Sequence, residues 1–150
     1  MLCEDIQDTV VKSMRNKTYK EALKFKTFRE RFNYLHVGGN VGEETFGYNR
    51  RLNQLLYRSK IWRSLRDKII IRDDGCNLGL EGYEIPHSIL IHHIVPITIA
   101  DIEYQRDIVY DPNNLICTDL ATHNQLHYGS KNYEPYEMVE RNPGDTTPWL

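Results

Sequence analysis

Four of the six histidines in this 150-residue chain lie in one short stretch, and their spacing constrains the fold more than any other feature. They form two pairs, His92 with His93 and His123 with His127. The first pair follows the apolar run at residues 89–91, which is typical of a buried β-strand. The second pair has i, i+4 spacing between Asp119 and Gly129, residues that typically begin and end a helix. The sequence therefore predicts a strand and a helix that both carry histidines.

Three of these imidazoles, from His92, His123 and His127, are predicted to converge on one metal ion. Histidines at i, i+4 lie on one helix face, roughly 5–6 Å apart at Cβ, and the strand end would add a third nitrogen. Three protein ligands leave one coordination position open, as in catalytic metal sites. Such a site favours Zn, Ni or Mn over Mg, although Mg binds phosphate oxygens readily, so the sequence leaves these four ions open.

The adjacent histidines His92 and His93 are predicted to have different roles, because successive side chains of a strand point to opposite faces. His92 would bind the metal, and His93 would face the substrate as a general base. Asn114 stands just before a short apolar run at residues 115–117. Its amide is predicted to hydrogen-bond the loop to the strand and so to orient the base.

These residues resemble the HNH endonucleases, a family with a ββα-metal site. The resemblance rests on His92-His93-Ile-Val-Pro, Asn114-Leu and His123-x3-His127. It implies that the chain hydrolyses DNA phosphodiester bonds, with one divalent ion on the three histidines, His93 as general base and Asn114 as the residue that orients it. The implied fold class is α+β, in which N-terminal helices and a long basic helix lead into a ββα-metal core.

The resemblance covers residues 57–129, about half of the chain, and departs from many family members in one respect. Those members hold a second, structural zinc with two CxxC pairs, and this sequence contains no CxxC motif. Cys76 lies near the place of the first pair, while Asp119 and Thr122 occupy the places of the second. We therefore expect one divalent ion per chain. The odd number of scattered cysteines also argues against disulfide bonds and favours a reducing cytoplasm.

Charge is distributed unevenly along the chain, although its formal net charge is only −2. Residues 50–72 contain eight basic residues and one acidic residue. A basic helix beside a metal site is what a nuclease needs to bind the phosphate backbone, and Arg58, Arg63 and Arg66 are the predicted DNA-binding residues. The alternative is that this run is only a solvated helix face.

The sequence is predicted to divide into an N-terminal helical extension (residues 1–49), a nuclease core with its preceding helix (50–131) and a tail (132–150). Helices are expected at about 4–17, 18–35 and 48–71. No apolar run approaches the roughly 18 residues that span a bilayer, so no membrane partner is expected. A small chain with this extension resembles phage or prophage proteins, which implies the bacterial host cytoplasm and a phage partner bound through the extension.

The sequence offers two alternatives to the nuclease. A zinc peptidase requires HExxH, but the residue after His123 is Asn124. The remaining alternative is a non-catalytic DNA-binding module with a structural metal site, which a fourth protein ligand would close.

Overall fold

The computed structural model describes residues 16–37, 50–129 and 133–135 and has an α+β fold, which confirms the predicted class. The helices that precede the sheet are α1 (Tyr19–Ala22), α2 (Phe28–Leu35), α3 (Arg50–Arg58) and α4 (Lys60–Arg72). The elements that follow are β1 (Leu90–His93), α5 (Ile99–Glu103), α6 (Asp107–Tyr110), β2 (Leu115–Thr118) and α7 (Leu120–Tyr128). Single 3-10 turns occur at Asn77–Gly79 and Pro112–Asn114. The predicted first helix, the glycine-rich segment at 38–49 and most of the tail lie outside the described residues.

The two strands form a small antiparallel sheet that is covered on both faces. His92 pairs with Ile116 and Ile91 pairs with Cys117. One face packs against α4 through a core that includes Trp62, Ile91 and Cys117. The opposite face packs against α2 and α7 through a second core, which contains Phe28, Phe32, Leu35, Ile116 and Leu126. Because the sheet separates two cores, neighbouring residues of β1 enter different surroundings.

The predicted long basic helix is wrong in one respect, since it consists of two helices, α3 and α4. Ser59 between them has an extended backbone, and its hydroxyl accepts a hydrogen bond from the Trp62 amide. This side-chain cap satisfies an amide that begins α4, and so favours a new helix over continuation of the old one. Asp73 and the turn at Asp74 and Gly75 end α4, as the sequence predicts.

The helix expected at residues 18–35 is also divided. Thr18 caps α1 by accepting from the Glu21 amide, so a helix begins where one is expected, but it ends after one turn. Thr27 then caps α2 by accepting from the Glu30 amide. The physical cause is the same as at Ser59, because each hydroxyl offers the backbone a local partner.

The end of α4 is tied directly to β2, which fixes the basic helix against the sheet. The buried Asp73 carboxylate accepts from the Cys117 amide at 2.9 Å, and Arg72 donates to the Leu115 carbonyl at 2.6 Å. The Arg72 guanidinium also lies over the Tyr19 ring, 3.4 Å from its centre. These contacts join α1, α4 and β2 to one another. None of the helices in the described ranges has the length and apolar character that a membrane crossing requires.

Candidate metal centre

Three histidines converge where α7 packs against β1. One ligand nitrogen from each of His92, His123 and His127 lies within 4.8 Å of the others. The ring centres are 4.7–5.3 Å apart, and the rings are steeply inclined to one another. The i, i+4 spacing on α7 and the position at the end of β1 thus bring the three imidazoles together, as predicted. The set is able to bind one metal ion.

Helix α7 is fixed in the orientation that presents its two histidines to the strand. Asp119 caps it by accepting from the Thr122 amide at 2.7 Å. The Thr122 hydroxyl, itself fully buried, accepts a 2.7 Å hydrogen bond from the Asn77 side-chain amide. Leu126, also fully buried, packs into the second core. The helix is therefore held by its cap, by a side-chain hydrogen bond and by apolar packing.

The surroundings of His92 fit a bound metal. This side chain is only 1% exposed, and neither of its ring nitrogens has a hydrogen-bond partner in the described part of the chain. A buried polar group without a partner costs about 1–3 kcal/mol, which coordination of a metal would offset. The set of ligand atoms also fits a bound metal, because three neutral imidazoles suit borderline divalent ions.

Burial keeps all three imidazoles in the form that binds a metal. It lowers the pKa of His92 well below the usual value, and the neighbouring His127 and His123 lower it further. Burial, together with the nearby His123, also lowers the pKa of His127 to about 4, and the pKa of His123 is lowered by burial too. The unprotonated ring is the ligand form, so protons compete weakly with a metal at neutral pH.

His93 lies on the opposite face of β1 and is held by different groups. Its ring stacks on Trp62, with centres 5.4 Å apart and planes 20° apart. Its Nε2 lies 3.0 Å from the Val109 carbonyl oxygen. A carbonyl only accepts, so in the neutral ring Nε2 carries the hydrogen and Nδ1 is the basic nitrogen. Burial lowers the pKa of His93 to about 4.

The two adjacent histidines nevertheless border one small pocket. His92 and His93 both line it, together with His123 and His127. Tyr128, with 75% of its surface exposed, stands at its edge. A single small ligand between these rings would therefore meet the cluster and the separate His93 together.

The Asn114 side chain hydrogen-bonds as an amide should, but it joins the segment that follows β1 to helix α6 and does not reach a strand residue. Its buried side-chain oxygen accepts from the Val95 amide at 2.7 Å. Its side-chain nitrogen donates to the carbonyls of Val95 and Ile108, at 3.2 and 3.1 Å. Ile108 precedes Val109, whose carbonyl accepts from His93, so this amide fixes the segment that holds the ring.

The three predicted DNA-binding arginines are placed differently from one another. Arg66 lines an open groove that His123 also borders, and it donates to the Ile89 carbonyl at 3.0 Å. Arg58 at the end of α3 and Arg63 on α4 are exposed and do not line that groove. The structure therefore brings one of the three to the histidine cluster.

Some residues of the site were not predicted from sequence. Trp62 is a buried core residue with 2% exposure, and its stacking on His93 has no sequence signature. The role of the Val109 carbonyl has no signature in the sequence, because every residue type has a backbone carbonyl. Cys76 and Cys117 are buried free thiols, as expected of small apolar residues.

Comparisons with protein-family models, with curated proteins and with solved structures found no match to this chain.

Proposed function

We propose that this chain is a metal-dependent endonuclease of the HNH type, which hydrolyses DNA phosphodiester bonds. The observation that carries the proposal is the division between two adjacent histidines. His92 belongs to a three-imidazole cluster, and His93 is held separately by Trp62 and Val109, yet both border one pocket. The order of antiparallel strands followed by a histidine-bearing helix supports the same family resemblance.

In this proposal His92, His123 and His127 hold a divalent ion. When bound, the ion would act as a Lewis acid on the phosphoryl group and stabilise the departing 3′ oxygen. Three ligands from the described residues form the cluster, which leaves room in the coordination sphere for substrate. A structural site in a non-catalytic DNA-binding module would instead be closed by a fourth protein ligand.

His93 accepts a proton from the attacking water at Nδ1. The hydrogen bond from Nε2 to the Val109 carbonyl selects this tautomer, and the stacked Trp62 ring fixes its plane. The lowered pKa keeps the ring unprotonated at neutral pH, so it is ready to act as a base. Asn114 is a positioning residue, because it holds the segment that carries the Val109 carbonyl. Fixed geometry of this kind contributes to the rate by orienting the reacting groups.

The basic helices supply positive potential for the DNA backbone. Arg66 would act closest to the cut phosphate because it shares a groove with His123. The exposed Arg58 and Arg63 would contact phosphates further along the strand. The products expected from a departing 3′ oxygen carry 5′-phosphate and 3′-hydroxyl ends.

Nicking of supercoiled plasmid tests the proposal. The metal-stripped protein should be inactive, and addition of Mg, Mn, Zn or Ni singly should restore cleavage with at least one of them. His93→Ala should bind the same ion yet cut at least about a hundredfold more slowly. Absence of cleavage with all four ions, in a folded protein that binds metal and DNA, would favour the non-catalytic DNA-binding module.

A further inference from the structure

A groove much larger than the metal pocket opens directly beside it. The pocket between the histidines has a volume of about 50 Å³, whereas the groove has a volume of about 390 Å³. Ile91 and His123 border both spaces, so the two are neighbours. The groove runs between helix α4, which contributes Trp62 and Arg66, and strand β1.

The difference in volume limits what each space is able to hold. A cavity needs about 10–15 Å³ of volume measured in this way to hold one water molecule, so the histidine pocket has room for an ion and a few small ligands. A nucleoside attached to the reacting phosphate must lie elsewhere. The groove has the size of an ordinary small-molecule site, and it is the space next to ligand His123.

The lining of the groove is apolar and aromatic, with one cation. Ile89, Leu90 and Ile91 form one wall, and Tyr57 and Trp62 contribute aromatic surface to the other. Tyr57 is 37% exposed and meets Trp62 edge to face, with ring centres 5.5 Å apart. Arg66 is the charged group, held at the wall by the Ile89 carbonyl, and no acidic side chain is among the described residues of the lining.

A sugar–phosphate backbone and a nucleobase make different demands on a surface. A track for backbone phosphates needs several cations, but this lining has Arg66 alone. Proteins that bind unpaired bases combine aromatic or aliphatic walls with arginine, because every base offers a flat apolar face. The lining therefore matches a base better than it matches a backbone.

We infer that this groove receives an unstacked nucleobase next to the cut phosphate, so that the preferred substrate is DNA with an unpaired nucleotide at the cleavage site. The inference rests on the proposed function for the identity of its ligand. Arg66 then neutralises a phosphate adjoining the bound base, while the base lies against Tyr57 and the Ile89 side chain. A fully paired duplex has to unpair a nucleotide to fill the groove, which costs free energy that a single strand does not spend.

Binding measurements without added metal separate this inference from catalysis. The probes are a short fluorescent single-stranded DNA, the same strand with abasic residues in place of its central nucleotides, and the corresponding duplex, compared by anisotropy at one salt concentration. The wild-type protein should bind the intact strand roughly tenfold or more tightly than the abasic strand. Equal affinity for the intact and abasic strands would overturn the inference.

A variant that fills the groove provides a second test of the inference. Ile89→Trp should fill the groove and abolish the preference for the intact strand. Ile71→Trp makes the same change at an exposed position of α4 outside the groove, and it should keep the preference. Retention of the full preference in a folded Ile89→Trp protein would also overturn the inference.

Cleavage rates of the wild-type protein show which proposal is wrong, the nuclease activity or the base-binding groove. The unpaired substrate should be cut roughly tenfold or more faster than the paired one. Base-dependent binding without any cleavage would reject the nuclease and retain the groove as a base site. Cleavage at equal rates on paired, unpaired and abasic DNA would retain the nuclease and reject the groove.

Discussion

The different surroundings of His92 and His93 follow from one property of a β-strand, namely that neighbouring side chains point to opposite faces. The two ring nitrogens of His92 have no hydrogen-bond partner among the described residues and meet two further imidazoles. His93 instead stacks on Trp62 and hydrogen-bonds the Val109 carbonyl. Two identical residues are thereby given the surroundings of a metal ligand and of an oriented base.

Alanine variants of these two histidines should separate their roles. His92→Ala removes one of three ligand nitrogens and should weaken metal affinity by at least about tenfold. His93→Ala leaves the cluster intact, so metal affinity should stay nearly unchanged while the single-turnover cleavage rate falls about 10²–10⁴-fold. Isothermal titration with metal and single-turnover kinetics provide the measurements.

The His93 variant also needs a check of its fold, because the change leaves a cavity against Trp62. Circular dichroism and DNA affinity should remain close to those of the wild type. An equal loss of metal affinity in both variants would contradict the assignment, because it would mean that both histidines bind the ion.

Sequence patterns predicted the elements near the site better than the lengths of the helices that precede it. Helix α7 begins after Asp119 and ends before Gly129 as expected, and β1 contains both predicted histidines. The breaks at Ser59 and Thr27 were missed because apolar residues continue at helical spacing across them. Ser59 and Thr27 are residue types that cap helices, but a continuous apolar period favours one uninterrupted helix at both places.

The basic helices α3 and α4 should govern how DNA binding depends on salt. Each phosphate contact contributes a slope of about −0.9 in the plot of log affinity against log salt concentration. Replacement of Arg58, Arg63 and Arg66 by Gln should therefore flatten the slope by roughly two to three units. Fluorescence anisotropy over a range of salt concentrations measures this value.

A matched control for the arginine variant is Arg29→Gln. Arg29 lies on α2, is about half exposed and pairs with Glu134 at 3.3 Å. Its replacement should leave the slope unchanged. If the triple variant kept the wild-type slope, the basic run would be a solvated face, which was the alternative raised by the sequence.

The hydrogen bond between Asn77 and Thr122 should determine how well α7 holds its histidines. Asn77→Ala and Thr122→Val each remove this 2.7 Å buried contact and should lower the free energy of unfolding by about 1–3 kcal/mol. Both should also weaken metal affinity, because His123 directly follows Thr122. Denaturant unfolding and metal titration measure the two effects.

The double variant tests whether the two single variants act through the same hydrogen bond. If the hydrogen bond acts on the metal site, the loss of metal affinity in Asn77→Ala/Thr122→Val should be smaller than the sum of the two single losses. Asn113→Ala is the control, since Asn113 accepts from the Lys20 amide, an exposed contact that involves neither α7 nor the three histidines. Metal affinity unchanged in both single variants would show that the contact serves stability alone.

For the whole molecule, the cluster of three histidines joins parts of the fold that are distant in sequence. His92 lies in the strand between the two cores, and the other two histidines lie on the helix that closes one of them. Local periodicity predicted that His123 and His127 share one helix face, whereas the resemblance to the HNH endonucleases implied that His92 would join them. The groove beside it was not predicted, since it depends on how Tyr57 and Arg66 pack against residues 89–91, which no local pattern encodes.

Metal removal should therefore lower the stability of the entire fold. An ion that binds the folded chain at a hundred times its Kd adds about 2.7 kcal/mol, which corresponds to a rise of about 5–10 °C in Tm for a chain of this size. Protein purified without chelator should contain one ion per chain by elemental analysis, and stripping followed by re-addition should lower and restore Tm. His92→Ala should lose most of that gain, because the same ion would no longer link β1 to α7. Two tightly held ions per chain, or a Tm that does not change when the metal is removed, would contradict a single centre built from these three histidines.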